Sequence, residues 1–375
     1  MFIFETIFFK LSLTFFLFNN QTAWPEAYQC PTSQYEIHSP PPHLELGIYF
    51  LSSGIVQVFL YMVCLTALSN YLRRHRPPAC QLMFLLAITD ILQLSVNAIL
   101  TGVLGIHGKS YCDFPTLIFV AGAIGNGAWM LSCPITMLIA LERIIEVREE
   151  NWLRFLFEKT GFRVIKSILF VWAAYCFFIA NPALFLAKYN AWFFDPLMGR
   201  EPALYRNWAH TATNITVSIV MAFQSIILCC SLCQTPYNTS QWNYKNPWQI
   251  AAQCILMGGF HAVTGILYEV MQFVPEMYIT EMYIIGQIAW QWTSAIMPIA
   301  YIFLNRTIQR ELINVFMPKC LRLKLKIPLH LQEHLDAEKA KLENKDSIFT
   351  KVSKPHDLGQ KGGSVAPKGG LPYMG

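Results

Sequence analysis

The chain has 375 residues, of which 54% are hydrophobic and only 14% charged, with a formal net charge of +5 and a mean hydropathy of +0.37. Soluble chains carry roughly 25% charged residues, so a set of water-soluble domains is excluded. The sequence carries no basic, aromatic-studded stripe of the kind that binds nucleic acid. Its 27 Phe, 16 Tyr and 10 Trp instead suit a chain whose rings pack between membrane helices and sit at lipid interfaces.

The first segment, MFIFETIFFKLSLTFFLF, is apolar but holds Glu5 and Lys10, and polar residues follow it. Residues 1–22 read as a signal peptide or hydrophobic leader, and 23–45 as an extracellular N-terminal segment. A bilayer-crossing helix needs roughly 20 apolar residues. Seven stretches meet that need, near Leu46–Ser69, Cys80–Gly102, Pro115–Leu141, Val164–Leu186, Ala209–Leu232, Trp248–Met271 and Tyr283–Leu304. They do not alternate as barrel strands would. The expected fold class is therefore an all-α membrane protein with a seven-transmembrane bundle over 46–304. A juxtamembrane amphipathic helix is expected over 305–320, and a partly disordered cytoplasmic tail over 321–375.

Lys and Arg set the orientation. With the N-terminus outside, the inner loops hold Arg73, Arg74, Arg76, Arg143, Arg148 and Arg154, and further basic residues follow in the tail. The outer segments hold only Lys109, Lys188, Arg200 and Arg206. The expectation is N-out and C-in.

Several residues stand out along the spans. Asp90 lies in the middle of the second, where an ionisable group costs several kcal/mol unless it faces the bundle interior, water or a partner. It is either a polar hub joining spans two, three and seven or a structural hydrogen-bond anchor. The third span contains AGAIGNGAW, whose Ala121 and Gly125 allow close helix approach. Within it Asn126 is expected to hydrogen-bond inside the bundle, and Trp129 floors a pocket or simply packs. That span ends on MLIALERIIEVREENW, where Glu142-Arg143 closes the apolar run. Arg143 is either a positive-inside anchor or a switch, paired at rest and freed on activation. His261, Gln287, Trp290 and Trp292 are further pocket candidates, and Glu269 either steers a cationic ligand or is hydrated.

There are 11 cysteines. On this topology Cys30 and Cys112 lie outside, where an oxidising compartment favours pairing. Cys64, Cys133, Cys176 and Cys254 read as packing residues. Cys230 and Cys233 form one Cys-x-x-Cys without a second pair, poor evidence for zinc, and no cofactor or metal is expected. Cys320 follows NRTIQRELINVFMPKC and is a palmitoylation candidate. HLQEH at 330–334 matches a metalloprotease pattern, but a tail of about 55 residues is too short to build a catalytic core unaided. No enzyme is expected.

The stretches GIYFLSSGIVQVFLYM, QLMFLLAITDI, YCDFPTLIFVAGAIGNGAW, YNAWFFDPL and GQIAWQWTSAIMPIAYIFLNRTIQREL occur in this order between Gly47 and Leu312. Together they resemble the nematode serpentine chemoreceptors of class T, within the wider G-protein-coupled receptors. The resemblance implies a plasma-membrane receptor, a sensory cilium being one candidate compartment. It implies an odorant or pheromone-like small molecule bound among helices 3, 5, 6 and 7, and a heterotrimeric G protein met through Glu142, Arg143, Pro298 and Tyr301. The chain departs from the wider class in four places, the first being that Cys112 precedes Arg143 by 31 positions, further than the class norm. The loop AKYNAWFFDPLMGREPALYRNWAH has no cysteine to bridge to the third helix, Met297 replaces the usual Asn, and Ile144 follows Glu-Arg. The rival from another class is a small-molecule or ion transporter or channel. Those often show internal repeats around midplane charges, whereas here midplane charge is mainly Asp90.

The orientation is checked by glycan mapping. N-x-Ser/Thr sequons lie at Asn20, Asn214, Asn238 and Asn305, and only lumenal, exposed sequons are modified. Peptide mapping of the expressed protein is expected to find glycan at Asn20 or nowhere. Glycan at Asn238 would invert the orientation.

Overall fold

The structure is a computed structural model and describes residues 24–30, 42–148, 152–234, 247–273 and 280–318. The leader with Asn20, the loop carrying Asn238, Cys320, HLQEH and the tail lie outside the described residues.

Seven long helices follow one another: α1 (Leu44–Arg74), α2 (Pro78–His107), α3 (Pro115–Val147), α4 (Lys159–Phe178), α5 (Trp208–Gln234), α6 (Pro247–Phe273) and α7 (Thr280–Leu304). The first six are long and apolar enough to cross a membrane by length and composition. α7 has 25 residues, ample for a span, but its apolar average is lowered by Gln287, Gln291, Thr293 and Ser294. All four are buried, so they face protein and the outer stripe stays apolar. A short eighth helix, α8 (Arg306–Phe316), follows after Asn305, whose side chain caps it by accepting from Ile308 N–H at 3.2 Å. α8 hides one charged residue: Glu311 is fully buried and paired with Arg74 of α1, with Asn70 donating to it at 3.1 Å.

Two elements differ from the sequence expectation. The fourth span was expected to reach Leu186, but α4 stops at Phe178. Pro182 lacks an N–H and pushes the residue before it, Asn181, out of the helical region. The chain then forms a small antiparallel hairpin of β1 (Leu184–Leu186) and β2 (Ala191–Phe193), with Phe185 opposite Trp192. Asn190 closes the hairpin at φ 49, a left-handed conformation that Asn tolerates. Secondly, α2 is not regular. A π-helical turn over Ser95–Leu100 interrupts it. Within that turn the Val96 carbonyl accepts from Thr101 Oγ1 at 2.9 Å and the Asn97 carbonyl from Gln287 Nε2 at 2.8 Å.

α3 is the central helix and packs against α2, α4, α5 and α6. The hairpin lies against its first turns. A Cβ on Gly122 would fall 1.6 Å from the Ala183 carbonyl oxygen, so the hairpin backbone occupies the space a side chain would need. Trp192, nearly fully buried, donates its indole N–H to Thr101 Oγ1 at 2.7 Å, and Ser110 Oγ accepts from Ala187 N–H at 2.9 Å. On the neighbouring side, Trp24 and Tyr28 of the N-terminal segment pack on Phe119 with ring centroids 5.6 and 5.2 Å apart.

Alanine is the better helix former by about 1 kcal/mol, but overpacking a filled site costs about 1–3 kcal/mol. Gly122→Ala is therefore expected to lower the melting temperature of the detergent-purified protein by a few degrees. Gly259→Ala on α6, where nothing lies within 4 Å of the added carbon, should be neutral or stabilising in the same assay.

Candidate functional site

The hairpin end of the bundle holds a cavity of about 330 Å³, within the usual range for small-molecule sites. α3 contributes Asn126 and Trp129 to its wall, α5 His210, α6 Tyr268, Met271 and Gln272, and α7 Tyr283 and Trp290. The hairpin and the loop after it supply the rest, including Trp192, Phe193, Phe194, Asp195 and Tyr205.

Asn126, Trp129 and Trp290 are held by bonds to residues outside the wall. Asn126 Nδ2 donates to the Asn181 carbonyl at 3.1 Å, and Asn207 Nδ2 donates to the same oxygen at 3.0 Å. The Trp129 indole donates to Asn214 Oδ1 at 2.8 Å and its ring stacks on His261, 5.5 Å between centroids. The Trp290 indole donates to Gln93 Oε1 at 2.9 Å. Asn207 also caps α5 by accepting from His210 N–H at 3.0 Å. Asp195 Oδ1 accepts from Leu197 N–H at 2.8 Å; partial burial raises its carboxyl above the usual value, against the lowering effect of that bond.

Of the candidate residues singled out from the sequence, Asn126, Trp129 and Trp290 line this cavity. His261 does not: it lies buried behind Trp129, with Nδ1 2.9 Å from the Met257 carbonyl oxygen. Gln287 is spent on the π turn of α2, and Trp292 donates to the Tyr49 hydroxyl of α1 at 2.8 Å. Glu269 accepts from Asn214 Nδ2 at 2.9 Å and is not part of the wall. The sequence reading took AKYNAWFFDPLMGREPALYRNWAH as a loop but singled out none of its residues for the pocket. The signal available was the aromatic run in YNAWFFDPL, too dense in rings for an ordinary solvated loop.

Asp90 is almost fully buried. It accepts from the Tyr61 hydroxyl of α1 and, at 3.0 Å, from Gln93 Nε2 one turn along its own helix. The Tyr61 hydroxyl is also 2.7 Å from the Ser294 carbonyl of α7. The polar cluster thus joins helices 1, 2 and 7, whereas the expectation was 2, 3 and 7. Tyr61 replaces a helix 3 partner because α1 brings a phenol to the depth of Asp90.

At the opposite end, Arg143 pairs with Glu146 at 2.5 Å and lies 3.6 Å from Glu142, both on its own helix. The resting partner was expected to be Glu142 or a group on the sixth helix; Glu146, one turn on, is closer because residues three apart share a helix face. Nearby, Ile144 and Val147 of α3, Leu228 and Leu232 of α5, and Ala251 and Cys254 of α6 form a small apolar cluster separate from the main core. Tyr301 of α7 is fully buried, and its hydroxyl has no hydrogen-bond partner among the described residues. Pro298 lies inside α7, its carbonyl 3.7 Å from Cys64 Sγ.

Long apolar helices with polar residues turned inward define a multi-pass membrane protein. Residues 11–325 match the family described as serpentine type 7TM GPCR chemoreceptor Srt, and the chain belongs to that family. It is also similar to serpentine receptor class T-55 of Caenorhabditis elegans, with 23% identity over 273 residues that cover 72% of this chain and 74% of the relative. The family is one of receptors and not of enzymes.

In the structure Cys30 and Cys112 are joined, Cα atoms 5.7 Å apart. The bond holds the N-terminal segment over the cavity loop, where the Ala27 carbonyl accepts from the Tyr205 hydroxyl at 2.5 Å. Non-reduced peptide mass spectrometry is expected to find Cys30 linked to Cys112. Free thiols at both would refute the link.

Proposed function

We propose that the chain is a chemosensory G-protein-coupled receptor of the plasma membrane. In this reading the hairpin end faces outward, a small molecule occupies the cavity there, and the opposite end meets a heterotrimeric G protein. The observation that carries it is that one set of helices builds both ends. α3, α5 and α6 supply cavity walls at the hairpin end and the small apolar cluster around Ile144 at the other.

A ligand shifts such an equilibrium only by its differential affinity for the two states. Contacts with His210 and Tyr268 would favour a different packing of α5 and α6. The cluster of six side chains that closes the far end is small enough for that shift to open. Arg143, about 16% exposed, lies at its edge on α3. Once α6 moves, Arg143 would leave Glu146 and present its guanidinium to the G protein.

The test is Arg143→Ala in cells reporting cAMP, cGMP or calcium. Surface expression should stay near that of the wild type, because the side chain's ion pairs lie within its own helix, while ligand-evoked signal should fall to background. Full signalling by the variant would reduce Arg143 to a topological anchor.

A further inference from the structure

The cavity contains one acid that no cation answers. Asp195 follows β2 directly and lines the cavity. Among the described residues no Lys, Arg or His nitrogen lies within 4.0 Å of its carboxylate. The basic residues of the same loop make other contacts, although Arg200 also reaches the hydroxyl of Tyr205 in the wall. Arg200 donates to the Gln29 carbonyl at 3.1 Å, and the Arg206 guanidinium, although part of the wall, lies over the Trp208 ring at 5.0 Å. His210, the histidine of the wall, sits edge-on to Phe194, 5.0 Å between centroids.

The acid is also held in place. One oxygen accepts from Leu197 N–H, and Leu197 adopts φ 55. A leucine enters that left-handed region only under constraint, and such strain collects where a side chain must be aimed. Around the carboxylate the wall is aromatic. Phe193 meets Tyr283 edge-on at 4.8 Å, and Tyr268 meets Trp290 edge-on at 6.4 Å. Ring faces carry the negative side of the quadrupole, so a ring face turned to the cavity attracts a cation. An anion would meet Asp195, against which Arg206, stacked on Trp208, and Arg200, bonded to the Gln29 carbonyl and to Tyr205, would act without either pairing with the acid.

We propose that this cavity takes a small organic cation, an amine with an apolar or aromatic body, its ammonium placed against Asp195 and its body among Phe193, Tyr268, Tyr283 and Trp290. The proposal rests on the cavity being the ligand site. The Asn126, Trp129 and Trp290 polar groups, each already bonded outward, leave the deeper wall to receive the apolar part.

The experiment uses the full-length protein in detergent and follows quenching of its tryptophan fluorescence by three probes of one shape. These are 2-phenylethylamine, 2-phenylethanol and phenylacetate at pH 7, cationic, neutral and anionic in turn. The amine should bind about tenfold or more tightly than the alcohol, and the acid weakest. Asp195→Asn should bring the amine down to the alcohol, Asp195→Glu should preserve the preference, and Tyr268→Ala should weaken amine and alcohol alike. If the alcohol or acid matches the amine in the wild type, or Asp195→Asn leaves the preference intact, the cation proposal is overturned. In that case loss of alcohol binding in Tyr268→Ala would still uphold the cavity as the ligand site. Failure of all three probes to bind overturns the proposal, while the cavity reading keeps its own test in ligand-evoked signalling.

Discussion

The structure turns on the contact between the Ala183 carbonyl and the bare backbone of α3 at Gly122. Without a Cβ there, the chain leaving α4 comes within the radius of a side chain of the central helix. The contact sets where the hairpin sits, and the hairpin sets the cavity. A loop without cysteine needs some other attachment, and hydrogen bonds provide it. The Asn181 carbonyl receives Asn126 from α3 and Asn207 from the start of α5, and Asn181 Nδ2 donates to the Arg206 carbonyl at 3.0 Å. One corner thus ties three segments together. Each bond contributes about 0.5–1.5 kcal/mol, so together they approach the roughly 2–4 kcal/mol typical of a disulfide. The disulfide itself serves a different strand of the design, joining the N-terminal segment to the start of α3.

What the sequence made legible were features decided by local composition. Long apolar runs identify helices whatever their neighbours are, and the seven expected spans each overlap a helix. The stop before Leu184 was also written locally, in Asn181-Pro182, but the apolar residues beyond it read as more span. Leu184 and Phe185 are apolar because they are buried against α3, not because they face lipid. Composition cannot separate those two environments. The π turn at Ser95–Leu100 and the Tyr61 partner of Asp90 were hidden for another reason: both depend on contacts between spans nearly 30 to 190 residues apart. Trp129 and Trp290 could be singled out as candidates because large rings with one polar atom suit a wall. That His261 stands behind Trp129, outside the cavity, depends on helix rotation, and nothing in a one-residue signal encodes that rotation.

The distribution of polar contacts divides the bundle into a fixed half and a movable one. α1, α2 and α7 are laced at several depths: Trp292 to Tyr49, Gln291 Nε2 to Gln57 Oε1 at 2.9 Å and to Ser53 Oγ at 2.8 Å, Trp290 to Gln93, Tyr61 to Asp90 and to the Ser294 carbonyl. Every one of these groups is buried or half-buried, so separating the helices would leave unpaired polar atoms in a medium that cannot solvate them. α6 is held differently. Its buried bond to α7, Thr264 to Thr293 at 2.7 Å, lies in the same half of the helix as Tyr268. Toward the far end its ties are the exposed bond from Arg306 to Gln249 at 3.0 Å, one long part-buried bond from Asn305 Nδ2 to Gln253 Oε1 at 3.5 Å, and the apolar contacts of Ala251 and Cys254. Exposed polar contacts exchange readily with water, and apolar contacts separated within a bilayer are replaced by lipid contacts of similar kind. The far end of α6 can therefore swing about the Thr264–Thr293 bond at much lower cost than any movement of α7 against α1 and α2. That asymmetry is what a ligand pressing on Tyr268, one turn from the pivot, would need in order to be felt at Arg143.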